Sequence, residues 1–213
     1  METKKIPTAV YAEMTPNPSV MKFVADRMLI NGGEQVQYTS KESVGDSSPL
    51  ADELFNFPFV TQVFVSANFV SVTKDDSLGW EMIVQQLREY IREWLTENEV
   101  AVAFVPESAV VTSENFTPPT APSANQPQLS AEDIIPSEFD AQIKQLLDDF
   151  VRPAVEQDGG AIDFMAYKEG TVYVTMRGAC SGCPSSMQTL KGGIENLLKT
   201  HIQQVEEVVA YEG

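Results

Sequence analysis

The residue types with the clearest chemistry are two thiols, Cys180 and Cys183, the only cysteines among 213 residues. They stand in the run RGACSGCPSS, residues 177–186, spaced C-x-x-C. Two thiolates are half of what a four-coordinate metal site requires, and the same spacing also serves dithiol redox chemistry. Pro184 follows at once and is a favoured first residue of a helix, because its missing N–H would be unpaired there anyway. Both sulfurs are therefore expected at a helix N-terminus, where free N–H groups and the positive end of the helix dipole favour thiolate and depress the pKa. A lowered pKa suits a nucleophile and a metal ligand alike.

Three readings of the pair compete. A dithiol/disulfide oxidoreductase of thioredoxin type places C-x-x-C before a helix, but residues 185–213 hold no proline to face a disulfide and no β-α-β unit precedes the loop. A zinc site closed within one chain needs two further ligands. The single histidine, His201, lies 18 residues past Cys183, roughly 27 Å along one helix at about 1.5 Å per residue. His201 reads instead as a partly exposed residue of the helix's last turn. The third reading completes the site by symmetry: two copies of the loop give four thiolates around one iron–sulfur cluster or one metal ion, zinc included. Small neighbours, Gly178, Ala179, Ser181 and Gly182, permit two backbones to approach. Arg177 and Lys191 are the nearest positive charges to such an anionic cluster, each expected to be solvated.

Composition narrows the partners. With 14 Lys and Arg against 31 Asp and Glu the net charge is -17, and each half of the chain is acidic by itself. Nucleic acid and anionic lipid are set aside as main partners. No stretch reaches the roughly 18 to 20 apolar residues of a membrane span. The opening METKKIPTAVYAEM reads neither as a secretory signal nor as an Arg-rich transit peptide. A sparse C-x-x-C suggests a reducing compartment, and the cytoplasm is the expected location.

The elements that must position the thiols fall into two halves. Residues 106–130 carry five of the thirteen prolines and no glycine, the composition of a linker with an upper reach of roughly 75 Å in polyproline II. This divides the chain into domains at 1–105 and 131–213. In the first, TAVYAEM reads as a strand, SVMKFVADRM as a helix with Val20, Phe23 and Val24 on one face, and Asn31-Gly32-Gly33 as a turn before VQYT. A short helix opened by Pro49 follows, then a hairpin in TQVFVSANFVSVTK and a long helix from Trp80 to Asn98. The second half starts with a helix carrying Phe139, Ile143, Leu146 and Phe150 on one face, opened by an approximate capping box of Ser137 and Asp140. Strands alternating as Ile162/Phe164/Ala166 and Val172/Val174/Met176 come next. A helix lined by Met187, Leu190, Ile194, Leu197 and Leu198 and a final strand in VEEVVAY complete an α-β-β-α-β order. The fold class is α+β: two small α/β sandwich domains joined by a Pro-rich linker.

Two longer runs, RPAVEQDGGAIDF (152–164) and MRGACSGCPSSMQTLKGGIENLL (176–198), resemble the C-terminal domain of NifU, the module shared by Nfu-type iron–sulfur scaffold and carrier proteins. MTPNPSVMKF and NFVSVTK before the Trp80 helix are similar to the Nfu N-terminal domain. The resemblance implies a carrier without turnover chemistry of its own. Such a carrier binds a [4Fe–4S] cluster through Cys180 and Cys183 of two subunits, becomes a homodimer on binding, receives clusters from a donor scaffold and delivers them to apo-proteins. The same thiolates would take a [2Fe–2S] cluster or zinc under other conditions. Ala161 departs from the family, which often has an acidic residue there. Gly192 and Gly193 each cost about 1 kcal/mol relative to Ala inside a helix, so they are expected to serve close packing against the sheet or a neighbour.

Overall fold

The computed structural model describes residues 6–31, 34–106, 136–181 and 184–212. They form two compact units, one within residues 1–110 and one within 111–213. The expected linker 106–130 lies outside the described residues apart from Pro106, as do Gly32 and Gly33 of the expected turn.

The first unit is a five-stranded antiparallel sheet ordered β1-β2-β5-β4-β3. Its strands are β1 (Val10–Met14), β2 (Val20–Ala25), β3 (Gln35–Tyr38), β4 (Val60–Ser66) and β5 (Phe69–Lys74). Three helices accompany them: α1 (Lys41–Val44), α2 (Pro49–Leu54) and α3 (Trp80–Glu97). Ser48 caps α2 by accepting from the Ala51 N–H at 3.1 Å, with Pro49 at the first helical position. On α3, Ile83, Leu87, Ile91 and Leu95 recur every fourth residue and are buried, the stripe of a helix lying on a sheet.

The expected helix over residues 19–28 is instead strand β2. Asn17 makes the turn, its side chain accepting from Ser19 N–H and its carbonyl from Val20 N–H, both at 3.0 Å. This returns the chain so that Met21 pairs with Met14 and Val72. Because β2 lies in the sheet with five of its six residues buried, its apolar run is nearly continuous, and a continuous run imitates a helical stripe.

The second unit follows the α-β-β-α-β order. Its opening helix runs as α4 (Asp140–Leu146), a π-helical turn Leu147–Val151 and α5 (Arg152–Gln157). Ile143 and Leu146 are buried as expected, and the extra residue of the π turn carries the buried stripe on through Leu147, Val151 and Val155. Phe150, expected on the core face, is instead 60% exposed. Ser137 does serve the helix start, its Oγ donating to Asp140 at 2.5 Å and accepting from Phe139 N–H at 3.3 Å.

Strands β6 (Gly160–Lys168), β7 (Thr171–Gly178) and β8 (Glu207–Glu212) form one sheet, β6 antiparallel and β8 parallel to β7. Positive φ at Glu169 and Gly170, 47° and 84°, makes the tight β6–β7 turn. The second helix, α6 (Pro184–His201), packs Ile194 and Leu198 with Val172, Val174 and Met176 in the core. The expected alternation of β6 fails at Ala166, because a bulge between Phe164 and Ala166 advances the register by one residue. Ile162, Phe164 and Tyr167 therefore share the helix side, while Met165 and Ala166 join Tyr173, Val209 and Tyr211 on the opposite face.

The π turn generates a test. Ile143→Ala is expected to lower unfolding free energy by about 2 to 4 kcal/mol and Phe150→Ala by less than about 1 kcal/mol. Urea titration followed by circular dichroism reads both; equal losses would restore the unshifted helix.

Candidate metal centre

The thiol loop is assembled where β6 begins and β7 ends. Gly160 and Gly178 sit opposite each other in register, and Gly178 takes φ 64°, which turns the chain out of the strand. Ala179 N–H donates to the Gly159 carbonyl at 3.1 Å. The Gly178 carbonyl accepts from Ser181 twice, from its N–H at 3.1 Å and its Oγ at 2.9 Å. Between these bonds stands Cys180, a free thiol 6% exposed and part of the apolar cluster of the second unit. Cys183, the other expected ligand, lies outside the described residues, with Gly182 beside it.

The expectation of a depressed thiol pKa is reversed at Cys180. Burial pushes its pKa from 9.0 up to about 12, and the Asp158 carboxylate adds to the rise. The dipole of a helix acts within its first turn, and α6 begins four residues later, at Pro184. Removing a thiolate from water is the larger effect here.

Arg177 was expected in solvent and is 4% exposed. One guanidinium nitrogen donates to Asp163 at 2.8 Å, and Arg152 approaches the same carboxylate at 3.8 Å. The Arg177 Nε is buried without a hydrogen-bond partner, and burial lowers the Arg177 pKa. Lys191 keeps an exposed pairing, 3.1 Å from Glu207. The Asp163–Arg177 pair was not legible in the sequence. The turn at Glu169-Gly170 by itself would set Ile162 opposite Arg177; the bulge between Phe164 and Ala166 instead brings Ala161 opposite Arg177 and Asp163 opposite Thr175, which makes Asp163 and Arg177 diagonal neighbours.

Gly192 and Gly193 do not pack against the sheet: both are exposed, and a Cβ on either would meet nothing within 4 Å. His201 ends α6, exposed and stacked on Phe150 with ring centroids 6.3 Å apart. Ala161 is buried in β6. Among the described residues no group of three or more His, Cys, Asp or Glu could hold a metal ion. No described helix is long and apolar enough to cross a membrane.

Comparison with known proteins places the two units. Residues 10–98 match the family described as scaffold protein Nfu/NifU N terminal, and residues 143–209 match the NifU-like domain. NifU-like protein 4, mitochondrial, of Arabidopsis thaliana is 32% identical over 201 residues, covering 93% of this chain and 64% of that protein. The NFU1 iron-sulfur cluster scaffold homolog, mitochondrial, of Drosophila ananassae is 33% identical over 199 residues, covering 93% and 63%. The chain thus spans under two thirds of the length of these relatives. The solution structure of a NifU-like protein from Saccharomyces cerevisiae shares 19% identity with a TM-score of 0.41, covering 48% of this chain and 89% of that one.

These relatives overturn the expected cytoplasmic location, since both are named mitochondrial. A sparse, unpaired C-x-x-C reports only that a compartment is reducing, and that property does not single out the cytoplasm.

Two outcomes follow from the site. Asp163→Asn leaves Arg177 buried without its counter-charge and is expected to cost about 2 to 3 kcal/mol, against less than about 1 kcal/mol for Lys191→Ala at its exposed pair; equal costs in urea melts would deny the buried pair its role. Secondly, the unfolded chain releases the Cys180 proton near pH 9, while the folded chain keeps it to about pH 12. Stability from the protonated thiol is therefore fully present below about pH 9 and lost as pH rises towards about 12. Cys180→Ala is expected to shallow the decline in stability between about pH 8 and about pH 10, and unchanged slopes would contradict the burial.

Proposed function

We infer that this chain, which belongs to the Nfu/NifU family, is an iron–sulfur cluster carrier. It binds a [4Fe–4S] cluster between two copies and passes it to apo-proteins. The cluster is cargo, and the chain performs no turnover chemistry of its own. Cys180 and, by its place in the sequence, Cys183 are the ligands, two soft thiolates from each copy making the four that such a cluster takes.

The observation that carries this reading is the ligand deficit inside an Nfu/NifU chain. The sequence holds two cysteines and one histidine, and His201 lies at the far end of α6 from the loop. A second copy supplies the missing half. The dithiol redox alternative is disfavoured by the surroundings of the loop, because residues 185–213 hold no proline to face a disulfide and a helix and a β-hairpin, in place of a β-α-β unit, precede it. Transfer follows from the same geometry, since a site made of two halves opens when the copies separate. The first unit, free of cysteine, serves recipient selection, and a donor scaffold supplies the cluster.

Anaerobic reconstitution with iron and sulfide, followed by sedimentation, tests the reading. About two iron atoms per chain in a dimeric particle are expected, with binding abolished in Cys180→Ser and in Cys183→Ser. A cluster held by a strict monomer without added thiol contradicts it, as does zinc at one per two chains in place of iron.

A further inference from the structure

Two glycines close the open end of the β6–β7 ladder, and they are glycines for different reasons. Gly178 takes positive φ. Gly160 is not among the positive-φ residues, so its bare Cα answers to space. A Cβ on Gly160 would lie 2.6 Å from the Arg177 carbonyl oxygen, 2.7 Å from Cys180 Sγ and 3.0 Å from Cys180 N. Two of those three atoms are backbone, and the Gly160–Gly178 pairing holds that part of β7 against β6. They cannot give way as the end of a flexible side chain would. The Gly160 Cα is therefore the floor on which the Cys180 thiol rests; the Ala179 N–H bond to the Gly159 carbonyl ties the loop to the start of β6, and the Ser181 bonds to the Gly178 carbonyl hold the loop's own turn.

We propose that Gly160 is a positioning residue that lets Cys180 fold in against β6, so that the metal-free chain stores this ligand buried and presents it only when the loop from Gly178 to Ser181 swings away. The inference rests on reading Cys180 as a cluster ligand. A thiol in its pocket is shielded from oxidants and alkylating agents, which act on exposed thiolate. The pocket also competes with the cluster for one sulfur. Every loaded chain must hold the loop open, and folding the thiol back favours release to a recipient. The carrier's affinity is thereby set partly by a glycine that touches no cluster.

Alkylation of the metal-free, full-length chain with iodoacetamide, read at Cys180 by peptide mass spectrometry, tests this without any cluster. Cys180 is expected to react at least about 100-fold more slowly in the folded chain than in urea. Gly160→Ala is expected to raise the folded-state rate at least tenfold, roughly, with circular dichroism unchanged, whereas Gly192→Ala, whose Cβ meets open space, leaves the rate as it was. Should Gly160→Ala fail to fold, Ser181→Ala removes one bond of the turn that seats the thiol and is expected to speed the reaction by about threefold or more. A folded Cys180 that reacts within about twofold of the urea rate, or a folded Gly160→Ala with the wild-type rate, overturns the proposal, and so does an unchanged Ser181→Ala. Slow, Gly160-dependent alkylation in a chain that takes up no iron would leave the storage pocket standing and remove the cluster reading. Fast alkylation in a chain that does bind a cluster would do the reverse.

Discussion

The second unit depends on one close approach, that of the Cys180 loop to the start of β6. Where Gly160 faces Gly178, the strands leave no room for a Cβ, and the thiol fills the space beside the bare Cα. With the positive φ of Gly178, this contact accompanies the chain's departure from β7 and the burial of the sulfur. It also sets the thiol's chemistry, because a sulfur taken out of water loses the charged form that both redox attack and metal ligation require. The carrier function proposed above would require firm binding and release, and in that reading the opposing demands meet in a loop tied by a few hydrogen bonds and resting on a glycine.

Around that loop the surroundings are polar on one side and apolar on the other. Asp163 and Arg177 form a pair 2.8 Å apart with Arg152 near the same carboxylate, while Ile162, Met176 and Ile194 share the thiol's apolar cluster. A buried pair of this kind fixes geometry more dependably than it adds stability. Arg177 precedes Gly178, so anchoring its side chain anchors the residue from which the loop departs. The first unit supplies a separate core in which one face of the five-stranded sheet packs with α2 and α3. Its absence of cysteine leaves cluster chemistry to the second unit.

The parts legible in the sequence were those in which a local rule and the tertiary structure agree. The α3 stripe, the β4–β5 and β6–β7 hairpins, the Pro184 start of α6 and the α-β-β-α-β order all follow from periodicity and turn chemistry. The departures share a different cause. Strand β2 is apolar nearly throughout because it lies inside a sheet, and nothing local separates that from a helix face. The π turn at Leu147–Val151 and the bulge after Phe164 each insert one residue, which turns Phe150 outward and sends Ala166 to the other face. Periodicity carries no mark of an insertion that packing selects. Cys180 shows the same limit in its chemistry: adjacency to a helix start suggested a lowered pKa, and three-dimensional burial raises it. The compartment was misjudged because reducing conditions are not particular to the cytoplasm.

If each chain holds half a site, two chains are needed to hold one cluster. Native mass spectrometry of the anaerobically reconstituted, full-length chain weighs the assembly with its cargo in place. One species of two chains plus the mass of a single [4Fe–4S] cluster is expected, reverting to cluster-free chain when the cluster is chelated. A single chain carrying a complete cluster would contradict the half-site.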